Sequence, residues 1–290
     1  MELKVFLDGE FVDSKDAKVS IFDHGLLYGD GVFEGIRSYN RRVFRLDEHL
    51  NRLYESADAI RLEVPITKES FRDKILQTLK LNNLNDAYIR VVVTRGVGDL
   101  GLDPRKCEKP TVFVIADKIA LYPEDFYKKG LPIMIAQTRR NHPITLDPRI
   151  KSLNYLNNIL ARIEAIDAGV PEALMLSIEG YAVECTGDNI FIFKDDKLLT
   201  PPSELGALEG VTQDAVIDLA KKMGIDTEYR KMLPEEVLEA EECFLTGTAA
   251  EIISVVKINE KTIGAGSPGE VTIKLRQEYK KLTETEGVGY

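Results

Sequence analysis

A few residues stand where their type and spacing could do chemistry. Lys151, in Arg149-Ile-Lys-Ser-Leu-Asn-Tyr155, lies between a proline-bearing lead-in (Asn141-His142-Pro143 to Asp147-Pro148) and a patterned helix. A lysine there is ordinarily a solvated surface residue; with its amine neutral and partly desolvated it could instead add to a carbonyl. Glu184, in Val183-Glu-Cys-Thr-Gly-Asp-Asn-Ile-Phe191, ends a predicted hairpin strand. It reads as a solvated strand-end carboxylate or as an acceptor for a cationic partner. Gly210-Val211-Thr212 opens a helix, so first-turn N–H groups and the Thr212 hydroxyl could converge on an anion, although Thr212 alone is simply an N-cap. Gly96-Val-Gly-Asp-Leu-Gly101 matches G-x-G-x-x-G after a strand, but Asp103-Pro104 follows where a helix would have to begin. A dinucleotide site is therefore disfavoured, and no P-loop motif is present.

The elements around these residues read as follows. Lys4–Leu7, Asp8-Gly9 and Glu10–Val12 form a hairpin. Ser20 to Tyr39 begins as a glycine-punctuated loop and ends as a strand, and Asp47 caps a helix carrying Leu50, Leu53, Ala57 and Ile60. A helix spans about Lys68 to Leu79, and Asp86–Thr94 and Thr111–Ile115 are strands. Beyond a connector come strand Ile133–Gln137 and a helix whose apolar stripe is Leu156, Ile159, Leu160, Ile163 and Ile166, stopped at Gly169. Hairpin Ala173–Ser177 and Tyr181–Glu184, strands Asn189–Phe193 and Leu198–Thr200, and a Thr212–Met223 helix follow. Strands near Cys243–Leu245 and Ile252–Ile258 and a helix from about Glu270 end the chain, with the last four residues expected to fray.

The 290 residues suit a large core, and 44% apolar with 30% charged residues is a globular composition. No apolar run is long enough for a membrane span. A net charge of −10 with mixed signs argues against a nucleic-acid footprint. Cys107, Cys185 and Cys243 are widely spaced, and only His24, His49 and His142 exist, so neither a disulfide framework nor a metal site is expected. A cytoplasmic protein fits, since the chain opens on strand-like sequence rather than a leader.

Taken in order, Lys151, the Glu184 segment, Leu208-Glu-Gly-Val-Thr212 and Thr246-Gly-Thr-Ala-Ala-Glu251 resemble the fold-type IV pyridoxal-phosphate (PLP) enzymes, most closely the branched-chain amino acid aminotransferases. The resemblance implies an α+β chain with the D-amino acid aminotransferase-like fold: a small N-terminal α/β domain (1–117), a connector (118–123) and a larger C-terminal PLP-binding domain (124–290). It implies ping-pong transamination between leucine, isoleucine or valine and 2-oxoglutarate, a role in branched-chain amino acid biosynthesis, and at least a homodimer in which a loop of one subunit closes the other's site. Lys151 would be the catalytic residue, forming the Schiff base with PLP. Glu184 matches the ligand of the pyridine nitrogen, Tyr155 that of the phenolic oxygen, and Leu208 the residue packed on the ring. Arg52, Val211, Thr212 and Thr248 match the phosphate site. Tyr28, Phe33, Gly35, Arg37, Tyr88 and Arg90 match the substrate pocket wall, Arg90 receiving the side-chain carboxylate of glutamate. Gly247 and the amides of Thr248-Ala249-Ala250 would hold the α-carboxylate. Alternatives within the fold are a D-amino acid aminotransferase, which carries an Arg-x-His element absent after Thr94-Arg-Gly here, and aminodeoxychorismate lyase, which Tyr88-x-Arg90 counts against. A nicotinamide-dependent oxidoreductase is the distant alternative.

Overall fold

A computed structural model describes residues 2–118 and 122–290. The connector expected at 118–123 falls partly on residues 119–121, outside the described residues. The chain forms two compact units, one of residues 1–120, 150–154 and 283–290, the other of 121–149 and 155–282.

In the first unit the elements are β1 (Lys4–Leu7), β2 (Glu10–Asp13), α1 (His24–Tyr28), β3 (Gly31–Tyr39), β4 (Arg42–Val43), α2 (Leu46–Ala59), α3 (Lys68–Leu81), β5 (Ala87–Thr94) and β6 (Thr111–Asp117). The second unit holds α4 (Glu124–Lys129), β7 (Leu131–Ile135), α5 (Leu156–Asp167), β8 (Ala173–Leu176), β9 (Ala182–Cys185), β10 (Asn189–Lys194), β11 (Lys197–Thr200), α6 (Val211–Lys222), β12 (Asp226–Tyr229), α7 (Pro234–Leu238), β13 (Glu242–Gly247), β14 (Glu251–Ile258) and β15 (Lys261–Thr262). Then come α8 (Glu270–Thr285) and β16 (Val288–Gly289).

The first unit's sheet runs β16-β4-β3-β5-β6-β1-β2. The β1–β2 turn is the expected two-residue loop, with Asp8 and Gly9 at positive φ (47° and 105°) as a type I′ turn requires. Strand alternation sends Val32 and Ile36 of β3 to the core against Leu46, Leu50, Leu53 and Ala57 of α2. The second unit's sheet runs β12-β11-β10-β13-β14-β7-β8-β9, with β15 on β14, over a core that includes Ile133, Ile190, Leu245 and Ile253. Among the described residues no helix is long and apolar enough to cross a membrane.

Several expectations need correcting. Arg45, in the left-handed region at φ 48°, caps α2, so Asp47 lies inside the first turn and not at the cap. Gly210 caps α6 and donates to the Gln213 side-chain oxygen, which makes Thr212 the second helical residue. The strand expected at 133–137 begins two residues earlier, at Leu131. The C-terminus does not fray: β16 pairs with β4, and the Tyr290 hydroxyl bonds Ser38 Oγ (3.0 Å) and the Leu84 carbonyl (2.9 Å). On α5 the apolar stripe faces outward and a different face is buried. Leu156, Ile159, Leu160, Ile163 and Ile166 are 47–66% exposed, while Asn158, Ala161 and Ala165 are buried.

Candidate active site

In the first unit, the edge of β3 places Lys151. β4 covers that edge at Ser38–Tyr39, and the lysine segment covers it at Gly31–Phe33. Phe33 N–H donates to the Lys151 carbonyl (3.0 Å) and Leu153 N–H to the Gly31 carbonyl (2.9 Å). Lys151 N–H donates to Ser56 Oγ on α2 (3.1 Å). The backbone is thus pinned from two sides while the ammonium lies 4.7 Å from the Phe33 ring centroid.

Arg90 also meets that ring. β3 and β5 pair with Gly35 opposite Arg90 and Arg37 opposite Tyr88. The Arg90 guanidinium sits 4.5 Å from the Phe33 centroid and donates to the Tyr88 hydroxyl (3.0 Å). Gly35 leaves room here, because a Cβ would run into that hydroxyl unless the tyrosine shifted. Phe33, Tyr88, Arg90 and Lys151 therefore converge. Arg37 is buried with its guanidinium 4.5 Å from the Tyr39 ring. Tyr28 lies on α1 with its ring against His24, and its hydroxyl donates to the Leu100 carbonyl (2.6 Å). No helix opens at Gly96–Gly101, where His24 Nε2 meets the Asp99 carbonyl at 2.8 Å.

Arg52, which its helix pattern alone would leave in solvent, is largely buried. Its Nε and Nη2 reach the two oxygens of Glu34 (2.6 and 2.9 Å), and His49 Nδ1 donates to the same carboxylate (2.8 Å). Burial alone would raise the Glu34 carboxyl; Arg52 and His49 outweigh it and hold it well below the usual carboxylate range. Burial lowers His49 despite Glu34, so its ring is a neutral donor near neutral pH.

In the second unit Glu184 is buried on β9 rather than solvated. Arg140 Nε donates to one oxygen (2.7 Å) and Leu208 N–H to the other (2.9 Å). The segment between Leu208 and α6 is tight: Asn189 holds the Leu208 carbonyl (2.8 Å), and a Cβ on Gly210 would strike that Asn189 side chain. Val211 and Thr212 open α6, where first-turn N–H groups have no intrahelical acceptor. Gly247 pairs with Glu251 across β13 and β14, so Thr248, Ala249 and Ala250 form the hairpin tip. Tyr155 is the residue just before α5.

Sequence reasoning missed Glu34, His49, Ser56 and Arg140. Glu34 did carry a signal, being an acid at an inward position between Val32 and Ile36. Arg140 carried none, since its partner lies 44 residues away.

The comparison that decides the family is direct: residues 31–258 match the model of amino-transferase class IV. The chain belongs to the class IV aminotransferases, a PLP-dependent family. A Methanocaldococcus jannaschii protein, provisionally named a branched-chain-amino-acid aminotransferase, is 51% identical, covering 99% of this chain and 98% of its own. The crystal structure of the Escherichia coli branched-chain amino acid aminotransferase superposes with a TM-score of 0.95 at 35% identity, over 99% of this chain and 97% of that one. That of the Thermobaculum terrenum enzyme in its PLP-form does so with a TM-score of 0.88 at 30% identity, over 97% and 94%. The fold is thus the class IV one.

Each unit carries donors whose chemistry fits PLP: the first an amine on a pinned backbone and an oriented arginine, the second a buried carboxylate with lone pairs to spare for a pyridinium and a helix N-terminus, beginning at a glycine cap, that suits a phosphate.

Proposed function

We propose that this aminotransferase moves amino groups between branched-chain L-amino acids and 2-oxoglutarate, alternating the two half-reactions on one cofactor. What supports this most is the Phe33 ring, whose centroid lies 4.7 Å from the Lys151 amine and 4.5 Å from the Arg90 guanidinium. It sets an apolar surface beside a fixed cation, which suits a pocket that must take an isobutyl group in one half-reaction and a carboxylate in the other.

When bound, PLP supplies the aldehyde that accepts the amino group and the ring that acidifies the substrate α-carbon. Lys151 would hold the cofactor covalently and, once displaced, carry the proton to and from that carbon. Glu184 would keep the pyridine nitrogen protonated, with Arg140 orienting it, while Tyr155 would bond the phenolic oxygen and Leu208 pack on the ring. Arg52, the opening N–H groups of α6 at Val211 and Thr212, and the Thr212 and Thr248 hydroxyls would take the phosphate. Gly247 and the amides of Thr248–Ala250 would take the α-carboxylate, and Gly35, Tyr28, Arg37 and Tyr88 would shape the side-chain pocket. The names of the relatives support the substrate class.

Residues 1–117 would be a small domain and 124–290 the larger one. A homodimer or larger homo-oligomer is supported by the outward apolar stripe of α5 and by Leu100 and Leu102, both at least 70% exposed. The free thiols of Cys107, Cys185 and Cys243 support a reducing, cytoplasmic setting.

Glutamate formation from 2-oxoglutarate with L-leucine, L-isoleucine, L-valine and D-alanine as separate donors tests the proposal. The branched-chain donors should lead; faster turnover of D-alanine would move the chain to the D-amino acid reading.

A further inference from the structure

The acid on the core face of β3 has no part in the proposed chemistry. Glu34 is fully buried between Val32 and Ile36, so its charge carries a desolvation cost that its partners must offset. Replacing a buried ion pair by apolar side chains is often neutral or stabilising, so stability alone does not explain this one. Its geometry is more specific. Both oxygens meet Arg52 in a two-point fork, which fixes the plane of the guanidinium as well as its position, and His49 completes the seat on one oxygen. His49, Arg52 and Ser56 recur at i, i+3 and i+7 and so share one face of α2. Ser56 holds the Lys151 backbone, and the Lys151 charge is near enough to His49 to help depress its protonation. One helix stripe thus orients both the arginine and the lysine segment.

We infer that Glu34 is the positioning residue for Arg52: through its two-point clamp, with His49 as the third contact, it aims the guanidinium at the cofactor phosphate. This rests on the reading of Arg52 as a phosphate ligand. It assigns Glu34 a role in cofactor selectivity, for the phosphorylated over the unphosphorylated form, with no contact to the cofactor itself.

The test is equilibrium competition between PLP and pyridoxal on the 290-residue chain, read from the cofactor retained. Wild type should prefer PLP strongly. Glu34→Gln should lose roughly 10- to 100-fold in PLP affinity, the scale seen when a supporting residue behind a ligand is removed, and leave pyridoxal affinity nearly unchanged. Equal losses for both ligands would make Glu34 a structural residue and overturn the inference; so would no loss. Arg52→Ala separates the two layers. If it leaves the PLP-to-pyridoxal ratio intact, the phosphate reading of Arg52 falls. If it collapses the ratio while Glu34→Gln does not, only the positioning role falls. Should Glu34→Gln fail to fold, Glu34→Asp keeps the charge but shortens the reach. It must shift the same ratio, and an unchanged ratio overturns the inference.

Discussion

Arg140 and Glu184 form a buried ion pair within one unit, Nε to Oε1 at 2.7 Å, with 6% of each side chain exposed. The Asn157 and Asn158 side chains take the Arg140 Nη1 (3.2 and 2.9 Å), and the Leu208 amide takes the second carboxylate oxygen. Removing one partner strands the other charge. Arg140→Ala should therefore cost about 3–5 kcal/mol in denaturant unfolding. A loss below about 1 kcal/mol would mean that water replaces the guanidinium, as at exposed pairs.

Lys151→Ala should abolish transamination while the melting temperature stays within a few degrees of wild type. The bonds that pin this segment run through backbone atoms of 151 and 153 and survive the substitution, while the amine and its contact with Phe33 are among what is lost. That ring contact is worth about 1 kcal/mol. Retained turnover would remove Lys151 from the chemistry, and a collapse of the fold would make the lysine structural.

Arg90→Leu separates the two half-reactions. The leucine half-reaction should stay within a few-fold, whereas amination of 2-oxoglutarate should fall roughly 10- to 100-fold, the scale of a lost charge-assisted bond. Stopped-flow measurement of each half-reaction shows it. Equal loss in both would assign Arg90 to the α-carboxylate or to the packing of Phe33 and Tyr88.

What the sequence carried was mostly local. The Asp8-Gly9 hairpin, the strand within Asp86–Thr94 and the stop at Gly169 are short-range signals, and the structure keeps them. What it hid was non-local. Nothing near Lys151 says that its segment will pair with the edge of β3 more than a hundred residues earlier, or that Tyr290 will reach Leu84. The stripe on α5 was visible, yet periodicity marks only an apolar face and cannot say whether the chain's own core or another surface covers it. Arg52 looked solvated because the rule that charges point outward fails when an acid on the core face supplies a partner. Of the candidate site, the candidate residues could be named from their types and order; Glu34, Ser56 and Arg140, which bond Arg52, the Lys151 backbone and Glu184, could not.

Acid stability should report Glu34. Its carboxyl is held below the usual range in the folded chain, so its contribution is complete above the unfolded-state pKa of about 4.3 and is lost as pH falls below that value. Melting temperatures from about pH 6 to about pH 3 should thus fall more steeply for wild type than for Glu34→Gln. Parallel curves would mean that the carboxyl is no more acidic folded than unfolded.

The most direct test of the proposed chemistry is a single turnover. The PLP-loaded protein, mixed with L-leucine and no acceptor, should release 4-methyl-2-oxopentanoate in an amount equal to the cofactor bound, and 2-oxoglutarate added afterwards should be converted to glutamate in the same amount. Release of no oxo acid from L-leucine, or release of pyruvate from D-alanine in its place, would contradict the account.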